Sequence, residues 1–381
     1  MAERTRRTSD RKSKRRKKRE VNYTFYVMII ALLAFGLIMV FSASSPRGHY
    51  RYSDAFYFLK KQAAFAVVGF LIMSFISKLH YKVWYKLAWI VGGITLVLLA
   101  AVAVMGTTGG GAQRWLAIGP ITMQPSEVAK FATVVIMARL LTDYGNNMSS
   151  FIKGFCLMMV VPVVMCGIVL FEKHLSGAVI ILLVGLILVF VSGAKIQHLL
   201  ICLGAIVPLG AVAVIIEPYR VKRILSFLDP FADIKGDGYQ VVQSLYAIGS
   251  GGLFGVGLGQ SREKYMYLPE AHTDFIFSVI CEELGFFGAL LVIVMFAILI
   301  VTGFKIAIKS PDKFSSLLVT GLVSLVAMQV IFNIAVVSST MPCTGITLPF
   351  FSYGGSSLII NLAEMGVILN VSRYTDRQNK L

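Results

Sequence analysis

Long apolar runs dominate the sequence and limit what the chain can fold into. The chain has 381 residues, of which 57% are hydrophobic. About 20 consecutive apolar residues span a bilayer as a helix, and in lipid only helices or closed barrels satisfy their backbone groups. Barrel strands alternate in polarity, whereas these runs are continuous, so we predict an all-α polytopic membrane protein with about ten transmembrane helices. The runs lie near 24–44, 56–77, 84–106, 125–142, 154–171, 176–193, 196–216, 274–302, 314–338 and 350–371.

Positive charge is concentrated at the N-terminus. Residues 1–19 carry eleven of the 36 Lys and Arg residues. Such an arm can bind nucleic acid, but a membrane span follows within a few residues, which favours a disordered cytoplasmic tail held against anionic lipid. We therefore expect a tail at 1–23 and no nucleic-acid partner. The basic block is too long for a signal peptide, and no cleavage site follows it.

Lys and Arg also recur in every second loop between the apolar runs, which predicts the topology. With an even number of spans, both termini are cytoplasmic. The membrane domain then covers 24–371, followed by a short cytoplasmic tail at 372–381. The loops expected to face outward are 44–55, 107–124, 172–175, 218–273 and 339–349.

The outward loop at 218–273 is the longest, and its basic and acidic residues balance, so it is not an electrostatic tether. Long ordered loops in compact proteins are often functional. Its stretch YAIGSGGLFGVGLGQS is apolar and glycine-rich, and we expect it to dip back into the protein as a re-entrant segment. The GxGxG pattern follows no strand, so close backbone packing is favoured over nucleotide binding.

The five cysteines are scattered, and four of them lie in apolar runs. No CxxC pattern is present, so the sequence indicates neither a zinc site nor a disulfide framework. We expect these residues to be small buried apolar side chains.

The stretch PEAHTDFIF, residues 269–277, places two acids and a histidine where an apolar run begins. Asp274 can cap the helix that follows, because a carboxylate suits a helix N-terminus. It can also act as a general base at the outer membrane face, where partial desolvation would raise its pKa. The two roles can coexist, and Glu270 and His272 are candidates for tuning it.

Acidic and amide side chains also occur inside the apolar runs. Ionisable residues within a membrane are costly and are usually paired or functional. Two interpretations are open for Glu282 and Glu283: each is paired for structural reasons, or each lines a polar cavity. Asn361 and Glu364 put polar groups into the last run, whose beginning near Pro349 we expect to be bent. Ser352, in the same approach, is another candidate for lining a polar cavity.

The stretch GGGAQRWLAIGPITMQPSEVAK precedes and opens the fourth run. Pro125 suits a first helical turn, and Glu127 is favoured there by the helix dipole. Lys130 lies on the same face three residues later, so Glu127 is its obvious partner. The pair is either structural or part of a polar cavity reached from outside. Arg114 and Trp115 share the preceding loop, and an outward Arg suggests an anionic ligand.

Two further clusters lie at outward positions. FEKHLSG forms a very short turn, and EPYRVKRILSFLDPF places Arg220 and Arg223 three residues apart, on one face if the segment is helical. Arginine forks suit phosphate. Ordinary surface solvation explains each cluster alone, but together they suggest a lipid-linked phosphate or pyrophosphate substrate.

Taken together, these motifs resemble the SEDS family (shape, elongation, division and sporulation), with its FtsW, RodA and SpoVE branches. YLPEAHTDFIF is more similar to the FtsW and SpoVE branches than to RodA. The resemblance covers residues 112–358, and the outer spans fit the same plan. The matching stretches are GAQRWLAIGPITMQPSEVAK, RILSFLDPFAD, GYQVVQSLYAIGSGGLFGVGLGQS, YLPEAHTDFIFSVICEELGFFGA and TGITLPFFSYGGSS.

The resemblance implies a peptidoglycan glycosyltransferase that polymerises lipid II into β-1,4 glycan strands with inversion and releases undecaprenyl pyrophosphate. The essential acid of the family's HTD motif falls on Asp274. Candidates for holding substrate or pyrophosphate are Arg114, Glu127, Lys130, Arg220, Arg223, Gln243, Ser244, Glu270 and His272. A divalent cation, Mg²⁺ or Mn²⁺, could share the charge of the leaving group, although no complete ligand set is evident.

This chain departs from the family pattern at two places. EKHLSG replaces a Pro-Asp-Leu-Gly-like or Glu-Pro-His-like turn, so Lys173 has no role by resemblance. Glu364 occupies a position where an apolar residue is expected, and its role is open.

A lipid II flippase and a non-catalytic scaffold of the division machinery are the alternatives. A flippase needs polar residues across the whole membrane, whereas most candidates here crowd the outer side. A scaffold should tolerate loss of Asp274. The resemblance further implies a class B penicillin-binding protein and other membrane proteins of the division machinery as partners, and a site facing outward from the cytoplasmic membrane at the septum.

Overall fold

The computed structural model describes residues 20–109, 112–118, 121–145, 148–236 and 238–375. Within these residues the chain forms twelve α-helices, a π-helical turn and three short strands. They run in the order α1 Tyr23–Tyr52, α2 Tyr57–Ile76, α3 Lys82–Met105, β1 Thr107–Gly109, β2 Ala112–Ile118, β3 Ile121–Met123, α4 Pro125–Tyr144, the π-helical turn Phe151–Cys156, α5 Leu157–Phe171, α6 Leu175–Val191, α7 Ile196–Ile215, α8 Pro218–Leu228, α9 Tyr239–Gly251, α10 Ile276–Ile308, α11 Lys313–Val337 and α12 Gly355–Ser372.

All ten predicted apolar runs are helical, so the predicted polytopic helical fold is confirmed. Within the described ranges, seven helical segments, one of them the π-helical turn together with α5, are long and apolar enough to cross a membrane by length and composition. Helix α6 and the stretch Ile196–Val212 of α7 are apolar but shorter. Helix α4 is more polar because it carries Glu127, Lys130, Arg139 and Asp143. It nevertheless packs in the interior, where Lys130 is buried.

Several boundaries differ from the prediction. Helix α1 continues to Tyr52, so most of the predicted outward loop 44–55 is helical. The last helix begins at Gly355 rather than near 350, because the chain turns through Phe350 at φ 66°. Helix α10 begins at Ile276, which leaves Asp274 in the preceding turn. The loop at 107–124, predicted without regular structure, forms an antiparallel sheet in the order β1-β2-β3.

The long loop between α7 and α10 contains two helices, α8 and α9, followed by the glycine-rich turn. This turn packs against a break in α10 at Gly285, where φ is 66°. Val256 N–H donates to the Glu282 carbonyl, and Phe286 N–H donates to the Gly252 carbonyl, both near 3.0 Å or shorter. A side chain at Gly255 would collide with the Glu283 backbone. The predicted close backbone packing is therefore confirmed.

Alternate loops gather at opposite ends of the bundle, as ten crossings require. One end, here called the site end, joins the connections near residues 53–56, 107–124, 172–174, 217–275 and 338–354. Arg114 donates to the Lys173 carbonyl there, and Ser352 donates to the Thr273 carbonyl. At the opposite end, Tyr81 donates to Asp312 and Asn22 N–H donates to Ser372.

These contacts place the ends of the described chain together, as an even number of crossings predicts. The cytoplasmic assignment of that end remains a prediction. Most of the predicted basic tail at 1–23 and much of the tail at 372–381 lie outside the described residues.

Candidate functional site

Asp274 lies at the centre of the site end, in the turn before α10. The helix cap is Phe275 and receives no side-chain cap, so the N-cap interpretation of Asp274 is wrong. Instead, the Asp274 backbone is held from α11. Asn333 Nδ2 donates to the carbonyls of Asp274 and Ile346, each at 2.8 Å. The carboxylate is therefore not engaged in starting the helix.

The carboxylate of Asp274 is half-buried and faces the loop before α12. A β-carbon built on Gly345 would lie 3.3 Å from Asp274 Oδ2. Burial and then the charge of Glu270 raise the pKa of Asp274 to about 7, against the opposing effects of Arg223 and Arg114. A carboxylate with a pKa near the working pH can accept a proton from a hydroxyl group.

The turn that carries Asp274 is clasped by the segment before α12. Ser352 Oγ donates to the Thr273 carbonyl at 2.6 Å, and Tyr353 N–H donates to the His272 carbonyl at 2.8 Å. Gln62 on α2 in turn holds this segment, donating to the Ser352 carbonyl at 3.1 Å and accepting from Gly354 N–H at 3.2 Å. The position of Asp274 thus depends on α2 and α11 and on the segment before α12.

A narrow cavity of about 40 Å³ adjoins this turn and is lined by Glu127, Lys130, Trp115, His174 and Gly345, among others. The predicted pair is present, with Lys130 Nζ 2.8 Å from Glu127 Oε1 and side chains only 5% and 9% exposed. Since Gly345 borders both this cavity and the Asp274 carboxylate, the cation and the candidate base face the same space.

The short turn after α5 adds two buried titratable groups. Burial lowers the pKa of His174 to about 3, helped by Arg114 and Lys130, so its ring is neutral. Its Nδ1 lies 3.0 Å from Ser126 Oγ. Burial raises the pKa of Glu172 to about 7, against Arg114, and the hydrogen bonds of the described residues leave both of its oxygens unpaired. Glu172 belongs to the FEKHLSG cluster noted in the sequence, where no individual role was assigned to it.

The predicted arginines approach from two sides. Arg114 on β2 donates to the Lys173 carbonyl at 2.5 Å, and Arg223 on α8 donates to the Cys343 carbonyl at 2.7 Å. Both lower the pKa of Asp274, so both are electrostatically close to it. Arg220 lies one turn earlier on the same helix, which confirms the helical arrangement of the two arginines. Lys173 pairs with Glu217 at 3.2 Å.

The two acids early in α10 are held by protein partners. Lys264 Nζ lies 2.7 Å from Glu283 Oε1, and the side chains are 2% and 0% exposed. Ser42 Oγ on α1 donates to Glu283 at 2.6 Å. Glu282 accepts from Ser261 Oγ at 2.5 Å and from Arg262 N–H at 2.7 Å. The structural alternative therefore accounts for both acids.

The remaining candidates are distributed around this centre. Burial lowers the pKa of His272 to about 4, so its ring is neutral. The charge of Arg47 also lowers this pKa, whereas the charge of Glu270 raises it. Ser244 is buried and bonded to Ser278 and to the Val337 carbonyl. Substrate roles for it, for half-buried Gln243 and for Arg220 stay predictions. Asn361 donates to Ser357 at 3.4 Å, and Glu364 is buried within electrostatic reach of Lys130 and Glu127.

Sequence reasoning missed the residues that hold the site from neighbouring helices. Gln62 is the single amide of α2, and Asn333 is one of two amides in α11, with Gln329. An amide inside an apolar helix was the available signal. Gly345 carries no such signal, because its importance comes only from the approach of Asp274.

Among the described residues, no group of three or more His, Cys, Asp or Glu side chains lies close enough together to hold a metal ion. This leaves the suggested divalent cation untested, since substrate phosphates can supply most ligands of Mg²⁺.

Comparisons with known proteins give consistent results. A family model described as "Cell cycle protein", FTSW_RODA_SPOVE, matches residues 23–377. Stage V sporulation protein E of Bacillus subtilis is 41% identical over 94% of this chain and 99% of its own length. A probable peptidoglycan glycosyltransferase FtsW of Geobacter sp. strain M18 is 40% identical over 91% of this chain and 95% of its own.

Solved structures share the fold. A chain from a peptidoglycan synthase complex that coordinates polymerization and crosslinking has a TM-score of 0.78 and 31% identity, covering 94% of this chain and 99% of its own. The rod shape determining protein RodA of Thermus thermophilus has a TM-score of 0.69 and 29% identity, covering 93% and 97%.

Proposed function

Since the chain belongs to the FtsW, RodA and SpoVE family of cell cycle proteins, we propose that it is a multi-pass membrane peptidoglycan glycosyltransferase that polymerises lipid II during division. Relatives named as probable peptidoglycan glycosyltransferases support this activity. The observation that carries the mechanism is Asp274, a half-buried carboxylate with a pKa of about 7 beside two arginines.

Asp274 acts as the general base. It takes the proton from the 4-hydroxyl of the acceptor N-acetylglucosamine, and that oxygen attacks the anomeric carbon of the donor strand. The new β-1,4 bond forms as the bond to undecaprenyl pyrophosphate breaks, so the anomeric centre inverts. A sugar hydroxyl is a poor nucleophile, and a positioned base contributes about 10²- to 10⁴-fold to such a step.

Cations around Asp274 stabilise the charge that gathers on the leaving pyrophosphate. Arg114 and Arg223 are closest electrostatically, and Lys130 faces the adjoining cavity. Glu127 holds Lys130 in place through the 2.8 Å pair. A divalent cation, if bound with substrate, would share this charge.

Family and fold support the following setting for the activity. The site end faces outward from the cytoplasmic membrane, where lipid-linked sugars are available, and the protein acts at the division septum. It works with a class B penicillin-binding protein and other membrane proteins of the division machinery. The likeness to a chain of a synthase complex supports such a partner.

Polymerisation of labelled lipid II by the purified protein with its transpeptidase tests this function. Asp274→Asn keeps the shape of the side chain and removes the base, so we expect product to fall by at least about 100-fold. Asp312→Asn is the matched control, because Asp312 also precedes a long helix but lies at the opposite end. Asn caps a helix nearly as well as Asp, so this variant should retain activity.

Equal product from Asp274→Asn and wild type would contradict the role of Asp274. No product from either protein, together with lipid II transport across vesicles, would support the flippase instead. Folding and complex formation of each variant are checked by size-exclusion chromatography.

A further inference from the structure

A second cavity is lined in part by the residues just before Asp274. Its volume is about 170 Å³, well above the roughly 10–15 Å³ that one water needs. The lining includes Arg47 at the end of α1, Lys264, Glu270 and His272. We call it the Arg47 cavity. His272 lies two residues before Asp274, so this cavity and the narrow cavity lined by Lys130 both adjoin the turn that carries Asp274.

Part of the polar lining of the Arg47 cavity is fixed in place by neighbouring side chains. Lys264 is fixed by Glu283 at 2.7 Å and by Ser42 at 3.2 Å. An ammonium group has three N–H donors, so these bonds leave one for a ligand. Met266 and Glu270, which also line the cavity, have φ values of 73° and 53°. Strained backbone of this kind clusters at ligand sites.

Arg47 is the less firmly paired cation of this cavity. Its contact with Glu270 is 3.5 Å long, between side chains that are 29% and 47% exposed. An exposed pair at this distance contributes little. An anion with several oxygens can therefore displace Glu270 and engage the guanidinium in two hydrogen bonds.

The proposed reaction needs a place for a second pyrophosphate. Donor and acceptor both carry a lipid-linked pyrophosphate, but only the donor's group leaves. Arg114, Arg223 and Lys130 lie around Asp274 and its cavity, where the leaving group must be. The acceptor pyrophosphate keeps its bonds and needs a separate holder, and the two cavities share no lining residue.

From these observations we propose that the Arg47 cavity binds the pyrophosphate of the acceptor lipid, with Arg47 and Lys264 as its cations. This inference rests on the proposed function for the identity of the ligand. Glu270 is the internal competitor for Arg47, so binding of the acceptor releases it.

Binding is measured first, without turnover, by titrating a fluorescent farnesyl pyrophosphate into the purified protein in neutral detergent. Wild type should bind two molecules. Arg47→Gln should weaken one site by about tenfold, as loss of a hydrogen bond to a charged group does. Glu270→Gln should tighten that same site. Arg51→Gln is the matched control, one turn further on α1 and outside the cavity lining, and should bind like wild type.

Equal binding by Arg47→Gln and wild type would overturn the proposal, and so would equal losses in Arg47→Gln and Arg51→Gln. Competition by phosphatidylglycerol as strong as that by unlabelled farnesyl pyrophosphate would assign the cavity to ordinary lipid headgroups. Competition by inorganic pyrophosphate alone would assign it to a free anion. Either result overturns it.

A kinetic experiment tests whether the site holds the acceptor rather than the donor. The donor is a lipid II analogue whose 4-hydroxyl is blocked, held at saturation, while labelled lipid II is varied as acceptor. Arg47→Gln should raise the KM for the acceptor about tenfold and leave kcat within about twofold. A rise in the donor KM, measured with the blocked donor varied at a fixed concentration of acceptor, would instead overturn the assignment. If wild type makes no product, the proposed function fails, whereas the binding result stands by itself.

Discussion

Two aspartates that each precede a long helix show how different the ends of the bundle are. Asp312, at the opposite end, forms a capping box with Ser315 and accepts from Tyr81 at 2.6 Å. Burial works to raise its pKa, but the hydrogen bonds from Tyr81 and Ser315 outweigh burial and lower it. Asp274 makes no cap, and its pKa rises to about 7. One carboxylate stabilises the fold, and the other is kept reactive.

Backbone strain follows the same division. The non-glycine residues with positive φ in the described chain all lie at the site end. Such conformations cost about 1–3 kcal/mol each and persist only where surrounding structure holds them. The neighbouring backbone at this end is held by amides from distant helices, Asn333 and Gln62. The geometry of the site end is therefore maintained at a cost in folding stability. The residues are Ser53, Lys173, Met266, Glu270, Ser339 and Phe350.

The largest expected effect is on the pH dependence of activity. A base with a pKa of about 7 must be deprotonated to act, so kcat/KM should fall about tenfold for each pH unit below 7. Initial rates of polymerisation between pH 5 and 8.5, with folding monitored at each pH, measure this. A flat profile over that range would contradict a base with this pKa.

Filling the space over Asp274 should have the next largest effect. Gly345→Val places methyl groups against Oδ2, which an added β-carbon already approaches to 3.3 Å. Displacing a reacting group by about 1 Å can cost roughly 100-fold, so we expect a loss of that order in initial rate. Gly249→Val is the control, because a β-carbon there meets nothing within 4 Å. Equal rates in the two variants would show that substrates do not use this space.

Thermal stability should respond in opposite directions to loss of the two carboxylates. Asp312→Ala removes a cap and should cost about 1–2 kcal/mol. The pKa of Asp274 is raised from 3.8 to about 7, so folding favours the protonated carboxyl group. The stabilisation that this protonation gives the fold is lost as pH rises between these two values. Asp274→Asn should therefore raise Tm at pH 8 and change it little at pH 4.

Unfolding scans in detergent at both pH values measure these changes. A lower Tm for Asp274→Asn at pH 8 would mean that the carboxylate is stabilised in the fold, as Asp312 is. The comparison between the two ends would then fail.

The sequence predicted well those features that depend on neighbours along the chain. The ten helices follow from continuous apolar runs, and the Glu127–Lys130 pair follows from spacing on one helical face. The pairing of Glu283 was expected, but Lys264 as its partner was not, because nineteen residues and a turn separate them. The cap assigned to Asp274 failed because helix α10 begins two residues later than the apolar run.

By itself, then, the sequence determined the helices, the alternation of their ends and the family whose acid falls on Asp274. Only the tertiary structure decided what surrounds that acid. Separate elements bring Asn333, Gly345 and Arg223 close to it, and a second cavity adjoins the turn that carries it. Local patterns report backbone periodicity and burial, whereas a pKa depends on charges and desolvation brought together by distant parts of the chain.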